Sequence, residues 1–196
     1  MPRQQNPLSI EYVLLGFLEQ NPIHGYDLFK KITSFDAISL VWTIKQSQLY
    51  ALLERLEEEG LIASTLISGE SHPNRKQYHI TSIGRQTFYA WRISPVLHGR
   101  DIRMEFLAKM YFALQSGPET VLELIEDQKA NCYEWLSQIQ NDLMNTTEEQ
   151  IYERIVFQYR GRQVQATIDW LEETRKSIGN QVQTKPLPKQ RVAIQK

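Results

Sequence analysis

The sequence predicts a mainly α-helical fold with one small β-hairpin, organised as two domains. Apolar residues recur at helical spacing over most of the 196 residues. The pattern changes at Leu61–Ile67 to a strand-like run, which a turn-rich segment separates from a second run, Arg75–Ile80. The segment around Pro95 then marks a boundary, after which the chain is helical almost to its end.

Two amphipathic helices are predicted first. The first ends where a proline follows Asn21, and its apolar residues, spaced three and four apart, are Ile10, Val13, Leu14, Phe17 and Leu18. A short second helix is predicted over His24–Thr33. The mixed polarity of Ser34–Val41 indicates a connection.

A third helix has the clearest pattern, an apolar stripe made of Leu49, Leu52, Leu53 and Leu56. Gly60 follows it at the position where a left-handed residue ends many helices. Two starts fit the pattern: a capping box formed by Thr43 and Gln46, or an N-cap at Ser47.

The hairpin and a fourth helix, from Ser82 to about Trp91, complete the N-terminal region. The order helix, helix, helix, hairpin, helix within about 80 residues is typical of a winged helix-turn-helix domain, whose third helix enters the DNA major groove. A small α+β domain that binds protein, or binds nothing, has the same element order and stays open as an alternative.

Long amphipathic helices are predicted in the second half, after a first helical stretch over Ile102–Leu114. One helix has apolar residues at heptad spacing, namely Ile125, Cys132, Leu136, Ile139 and Leu143, and the last helix continues this pattern through Tyr159 and Trp170. These seams predict a homodimer held by the helices, although an intramolecular hairpin buries much of the same area. The expected division is a winged-helix domain at 1–92, a helical dimerisation domain at 93–178 and a disordered basic tail at 179–196.

Several classes of protein are excluded by composition and motif content. Apolar runs are too short to cross a membrane, and neither a secretory signal nor a second cysteine accompanies Cys132, so we expect a cytoplasmic protein. Zinc-binding, phosphate-binding and nucleophile motifs are absent, so we expect no metal, no cofactor and no enzymatic activity. His98 with Asp101 is the nearest approach to a catalytic pair.

Short motifs then occur in a fixed order: His24-Gly25-Tyr26-Asp27-Leu28, Leu49-Tyr50 through Leu61-Ile62, and Arg75-Lys76-Gln77-Tyr78 followed by Thr81 and Gly84. Together they resemble the PadR family of bacterial transcriptional regulators over Leu8–Trp91. The stretch RDIRMEFLAKMYFAL is similar to the start of the helical domain in the virulence-activator-like branch of that family. The resemblance implies a sequence-specific DNA-binding regulator, most often a repressor, that binds an inverted-repeat operator as a homodimer.

Candidate contacts with double-stranded DNA fall at the start of the third helix and at the hairpin tip. Glutamine pairs with adenine, lysine donates to guanine, and cations at the tip reach phosphates. The candidates are Lys45, Gln46, Gln48 and Tyr50 in the helix, and His72, Asn74, Arg75 and Lys76 in the hairpin. Ordinary solvated polar residues are the alternative interpretation, and the ring of Tyr50 has the further alternative of packing inside.

The charge balance does not favour DNA binding by itself, because the net charge is −1. We expect the distribution of charge to matter more than its sum, with Glu57, Glu58 and Glu59 at the end of the third helix away from the DNA. The alternative function is a winged-helix protein-interaction module that does not bind DNA.

A small aromatic effector is the other partner suggested by the resemblance, since some PadR relatives bind phenolic acids or flat drugs between their two domains. Tryptophans that could stack on such a ligand are Trp42, Trp91, Trp135 and Trp170, although aromatic residues at helical spacing are more often core. Cys132 is expected to be a small buried hydrophobe rather than a redox sensor.

Overall fold

The computed structural model describes residues 9–34, 37–69 and 72–184, and it confirms the predicted fold class of helices with a small antiparallel sheet. The helices are α1 (Ser9–Gln20), α2 (Gly25–Thr33), α3 (Gln46–Glu58), α4 (Ser82–Ile93), α5 (Leu107–Ser116), α6 (Pro118–Met144) and α7 (Ile151–Thr184). The strands are β1 (Ile23–His24), β2 (Ile62–Gly69) and β3 (His72–Ile80). The described chain divides into two compact units between Phe112 and Ala113.

The sheet contains one strand more than the sequence predicts. β2 and β3 form the expected hairpin, with Ile62 opposite Ile80 and Leu66 opposite Lys76. The extra strand β1 pairs with the other edge of β3, so that His24 lies opposite Gln77. The predicted second helix begins one residue later than His24, which is the N-cap of α2 and the last residue of β1. A two-residue strand is too short to show the alternation that identifies strands in a sequence.

The core of the first unit is built from the predicted leucine stripes. Leu49, Leu53 and Leu56 of α3 are fully buried, as are Val13 and Leu14 of α1. Because each stripe occupies one side of its helix, the residues between the leucines of α3 are left on the surface.

Two glycines of the motifs have specific structural roles. Gly60 ends α3 with a φ of +70°, a conformation that favours glycine. Gly84, in the first turn of α4, lies very close to the loop between α3 and β2. A Cβ at this position would stand 2.0 Å from the carbonyl oxygen of Leu61 in that loop. Thr81 caps this turn: its hydroxyl oxygen accepts from the Gly84 N–H at 3.1 Å, and its own N–H donates to the Leu61 carbonyl at 3.0 Å.

The first unit extends about twenty residues beyond the expected boundary at residue 92. Ile102–Phe106 forms a wider, π-helical turn that leads into α5, rather than the single α-helix predicted from Ile102. Ala108 and Phe112 then belong to the same core as α1, with the Phe112 ring 5.2 Å from that of Phe88. Pro95 thus marks a break in helix inside the first compact unit, and the domain boundary at residues 92 and 93 remains a prediction.

A buried lysine fixes the segment that follows α4. Lys109 is 2% exposed, donates to the carbonyl oxygen of Ser94 at 2.9 Å and pairs with Glu105 at 3.0 Å. The indole N–H of Trp91 donates to the same carboxylate at 3.0 Å. Burial lowers the pKa of Lys109, while the Glu105 carboxylate partly opposes this effect.

In the second unit, α6 and α7 of one chain pack against each other. Ile125 and Cys132 are fully buried within this unit, and Leu136 and Ile139 lie close to Gly161 of α7. Leu143 and Trp170 are half-buried. The intramolecular hairpin thus leaves Ile125 and Cys132 no surface for a second copy of the chain, whereas Leu136 and Ile139 stay partly exposed, and their place in a dimer contact remains a prediction.

Ion pairs also join the two helices of the second unit. Lys129, at the polar position of the seam, pairs with Glu172 of α7 and lies 3.5 Å from Glu126. Arg175 contributes a second link to Glu126 at 2.6 Å. The helix α7 continues to Thr184, so the prediction of disorder was wrong for residues 179–184, and residues 185–196 lie outside the described part of the chain.

Candidate nucleic-acid interface

The start of α3 differs from both predicted starts. Lys45 is the N-cap residue, and its backbone N–H donates to the side-chain oxygen of Gln48 at 3.1 Å. Since an ammonium group cannot accept a hydrogen bond, this is only half of a capping box. Both the Thr43–Gln46 box and the Ser47 cap were therefore wrong, and Gln48 has a structural role at the helix start that competes with contact to a base.

The solvent-facing side of α3 is polar and continuous. It runs through Ser47, Tyr50, Ala51 and Glu54, directly opposite the buried leucines, and it begins beside the exposed Lys45 and Gln46. Sequence reasoning missed Ser47, Ala51 and Glu54 as members of this face. The signal was present, because these residues are the complement of the leucine stripe at the same three and four spacing.

The ring of Tyr50 packs against the start of α2. A Cβ added to Gly25 would stand 2.7 Å from the ring atom Cε1 of Tyr50 and 3.2 Å from its hydroxyl oxygen. The side chain is nevertheless 40% exposed. The absence of a side chain at Gly25 thus gives space for the ring of Tyr50, and the rest of that ring is exposed on the surface of α3.

A groove of about 670 Å³ lies between the start of α2, α3 and strand β3. Its lining carries both signs of charge, with Lys76 and Arg75 on the strand and Asp27, Glu54 and Glu57 on the helices. On the outer side of α2, the Lys30 ammonium lies 4.6 Å from the centre of the Tyr26 ring, which is half exposed. Tyr26 and Lys30 were not among the sequence candidates.

Both basic residues of β3 border the groove, but they occupy alternating positions along the strand. Side chains alternate along a strand, so Lys76 lies on the same face as Tyr78, while the side chain of Arg75 projects from the opposite face of the hairpin. The buried Tyr78 shows that the first of these faces is the one covered by helices. The side chains of His72 and Asn74 lie outside the described part of the structure.

Lys76 is held by a carboxylate of α3. Its ammonium lies 3.2 Å from Oε2 of Glu57, whose Oε1 accepts a hydrogen bond from the Ser64 hydroxyl of β2. The hydrogen bond from Ser64, followed by that from Lys76, lowers the pKa of Glu57, and Glu57 in turn raises the pKa of Lys76. Glu57, which was expected at the end of α3 away from the DNA, thus lies beside one of the predicted DNA contacts.

Two classes of site are absent from the parts of the chain that the structure describes. No helix among those residues is long and apolar enough to cross a membrane. The same residues contain no cluster of three or more histidine, cysteine, aspartate or glutamate side chains suited to a metal ion.

Comparison with known proteins matches both halves of the chain to families. Residues 14–90 match the model of the "Transcriptional regulator PadR-like family", and residues 102–178 match that of "Virulence activator alpha C-term". The "Negative transcriptional regulator PadR" of Bacillus subtilis (strain 168) is 31% identical over 134 residues, which are 67% of this chain and 71% of that protein.

Solved structures of PadR proteins are also similar. Bacillus subtilis PadR in complex with operator DNA is 24% identical with a TM-score of 0.44, covering 85% of this chain and 97% of that one. The same protein in complex with p-coumaric acid is 24% identical with a TM-score of 0.40, covering 88% and 99%. The two family models together span most of the chain, and a curated PadR regulator is similar over two thirds of it. The chain therefore belongs to the PadR family of transcriptional regulators.

Proposed function

We propose that this regulator acts in the cytoplasm as a homodimeric repressor that binds an inverted-repeat operator, with the start of α3 in the major groove. The observation that carries the proposal is the continuous polar face of α3, which is fixed by three fully buried leucines on the opposite side. Such a face reads bases only when its helix is rigidly held, and this burial supplies the rigidity.

Different residues of this surface are suited to different contacts. Lys45 and Gln46 stand exposed at the helix start, where a lysine can donate to guanine and a glutamine can pair with adenine. The methyl group of Ala51 is suited to contact a thymine methyl. Arg75 on the hairpin is suited to a phosphate, and so are His72, Asn74 and Lys76 when the hairpin lies along the DNA backbone.

A salt titration of DNA binding, measured by fluorescence anisotropy, tests this proposal. Arg75→Ala should weaken binding to all duplexes and reduce the slope of log affinity against log salt by about 0.9, the value for one phosphate contact. Gln46→Ala should instead change the preferred sequence. Arg85→Ala is the matched control, because Arg85 pairs with Glu19 at 2.9 Å on α1 and does not line the groove beside α3.

Absence of salt-dependent binding would favour the protein-interaction alternative. Equal effects of Arg75→Ala and Arg85→Ala would contradict the assignment of the hairpin to DNA.

For the homodimer, we propose a contact surface other than the heptad seam. Exposed apolar side chains recur every four residues at the start of α7, at Ile151, Ile155 and Tyr159, with Tyr152 beside them. Tyr159, 61% exposed, is the one predicted dimer residue on this surface. A second copy of the chain is the occupant we propose, because a nearly neutral winged domain needs two half-sites for useful affinity, and two-fold symmetry presents them about 34 Å apart.

A small aromatic effector completes the proposal, and the burial of Trp91 argues against a place for this residue in the effector site. Trp91 is buried in the core of the first unit, where it stacks on Tyr12 at 5.1 Å. Titration with p-coumaric acid, followed by quenching of tryptophan fluorescence, tests for an effector. Saturable quenching together with release of DNA is the expected result, and quenching without release would contradict a regulatory role.

A further inference from the structure

We propose that Glu57 competes with the DNA phosphate for the ammonium group of Lys76 and thereby limits binding to non-operator DNA. The inference rests on the proposed DNA-binding function and adds a residue that sets specificity. In free protein and in non-specific complexes, Lys76 remains paired with Glu57. In the operator complex, the close approach of the hairpin to the backbone transfers Lys76 to a phosphate.

The geometry of the pair supports this exchange. Both oxygens of Glu57 are engaged, one by Lys76 at 3.2 Å and the other by the Ser64 hydroxyl. Ser64 therefore orients the carboxylate towards Lys76 even when the lysine leaves. The side chain of Lys76 is 52% exposed, so its ammonium can reach a new partner without disturbing the core.

The backbone of Lys76 is fixed, while its long side chain allows the ammonium to exchange one partner for another. Its carbonyl oxygen lies 3.1 Å from Nδ1 of His24, and the residue is paired in register with Leu66. Lysine carries a compact charge on a flexible stem, so the charged end can change partner while the strand stays in place.

The electrostatic consequence is a lower affinity for any duplex that lacks the operator geometry. A lysine neutralised by an internal carboxylate adds little to the long-range attraction of phosphate. Asp27 and Glu54 line the same groove and oppose the entry of a phosphate further. Separating Lys76 from Glu57 costs free energy. Only a duplex that makes further contacts with the protein, as the operator does, compensates for this cost.

The chain offers a matched control for this charge. Glu58 is the next residue on α3, is exposed and belongs to the same helical turn, but it does not line the groove with Lys76. Glu57→Gln and Glu58→Gln therefore remove the same formal charge from nearly the same place. A glutamine at position 57 also keeps an oxygen that accepts from Ser64.

The test compares binding of the full chain to a random-sequence duplex over a range of salt concentrations. Glu57→Gln should raise the affinity at low salt and steepen the salt slope by about 0.9 relative to Glu58→Gln, which is about a 3.5-fold larger loss between 50 and 200 mM salt. Adding Lys76→Ala to Glu57→Gln should remove this gain.

A second variant makes the test independent of any effect of Glu57→Gln on folding. Lys76→Met should leave the salt slope on the random duplex unchanged, because the paired lysine makes no phosphate contact there. A slope reduced by about 0.9 would show that Lys76 already binds phosphate and would overturn the proposal.

Failure of the inference is distinguishable from failure of the proposed function. If the unaltered chain shows no salt-dependent binding to any duplex, both are wrong. If it binds, and Glu57→Gln behaves like Glu58→Gln, only the competition between Glu57 and phosphate is wrong.

Discussion

Replacing Gly84 by alanine should destabilise the winged unit for a purely steric reason. Its φ is not in the left-handed region, so alanine is conformationally acceptable at this position. The added Cβ would, however, stand 2.0 Å from the carbonyl oxygen of Leu61, a backbone atom, where about 3.3 Å is an ordinary carbon–oxygen contact. The start of α4 and the loop before β2 must therefore separate by more than about 1 Å.

The magnitude follows from what this separation breaks. The Thr81 N–H donates to the Leu61 carbonyl at 3.0 Å, and the Thr81 hydroxyl lies 2.8 Å from the Gly60 carbonyl oxygen and 3.1 Å from that of Leu61. Losing the hydrogen bond from the N–H costs about 0.5–1.5 kcal/mol, since the hydroxyl keeps its closer acceptor Gly60, and forcing a methyl group into a packed site costs about 1–3 kcal/mol more. Alanine returns about 0.5–1 kcal/mol of helix propensity. The net loss in free energy of unfolding should be about 0.5–4 kcal/mol.

Urea unfolding followed by circular dichroism measures this loss, with Gly161→Ala as the control. Gly161 also lies within a helix, α7, but a Cβ there meets Ile139 at 3.6 Å, an ordinary contact. Gly161→Ala should thus increase the free energy of unfolding by about 0.5–1 kcal/mol. A Gly84→Ala variant as stable as the unaltered chain would refute the steric argument.

Three further variants or reagents test other parts of the structure. Burial raises the pKa of the Cys132 thiol, so a thiol-specific reagent should react only after unfolding, and rapid reaction of the native protein would contradict its burial. The hydrogen bond from Lys129 lowers the pKa of Glu172 from 4.5, so their pair stabilises above about pH 4.5 and is lost as the pH falls through the lowered value. Glu172→Gln should remove that part of the acid-unfolding profile, whereas an unchanged profile would count against the pair. Ile155→Glu should dissociate the homodimer in light scattering while Gln158→Glu should not, and equal behaviour of the two would rule out this surface.

Local periodicity predicted the helices and the hairpin because each pattern depends on residues close together in the chain. The leucine stripe of α3 is an example, since one helical face decides which side is buried. The position of β1 was not predictable in this way, because its pairing partner Tyr78 lies far along the chain.

The site was less predictable than the fold, because its contacts connect separate elements. The Lys76–Glu57 pair joins β3 to α3 across 19 residues, and no local pattern indicates it. At the start of α3 the N-cap residue is a lysine rather than the usual serine, threonine, aspartate or asparagine. The Gln48 side chain accepts a hydrogen bond from the backbone N–H of this lysine. The heptad spacing that suggested a dimer is equally satisfied within one chain, since an antiparallel partner helix buries the same positions.

Footprinting of the promoter of the chain's own gene tests the central claim most directly. If two copies place their α3 tips in successive turns of the major groove, the purified protein should protect two symmetric half-sites whose centres lie about 34 Å apart. Protection should disappear from both half-sites together in a Lys45→Ala, Gln46→Ala variant. A single unpaired protected site, or symmetric protection that survives loss of both side chains, would contradict the account.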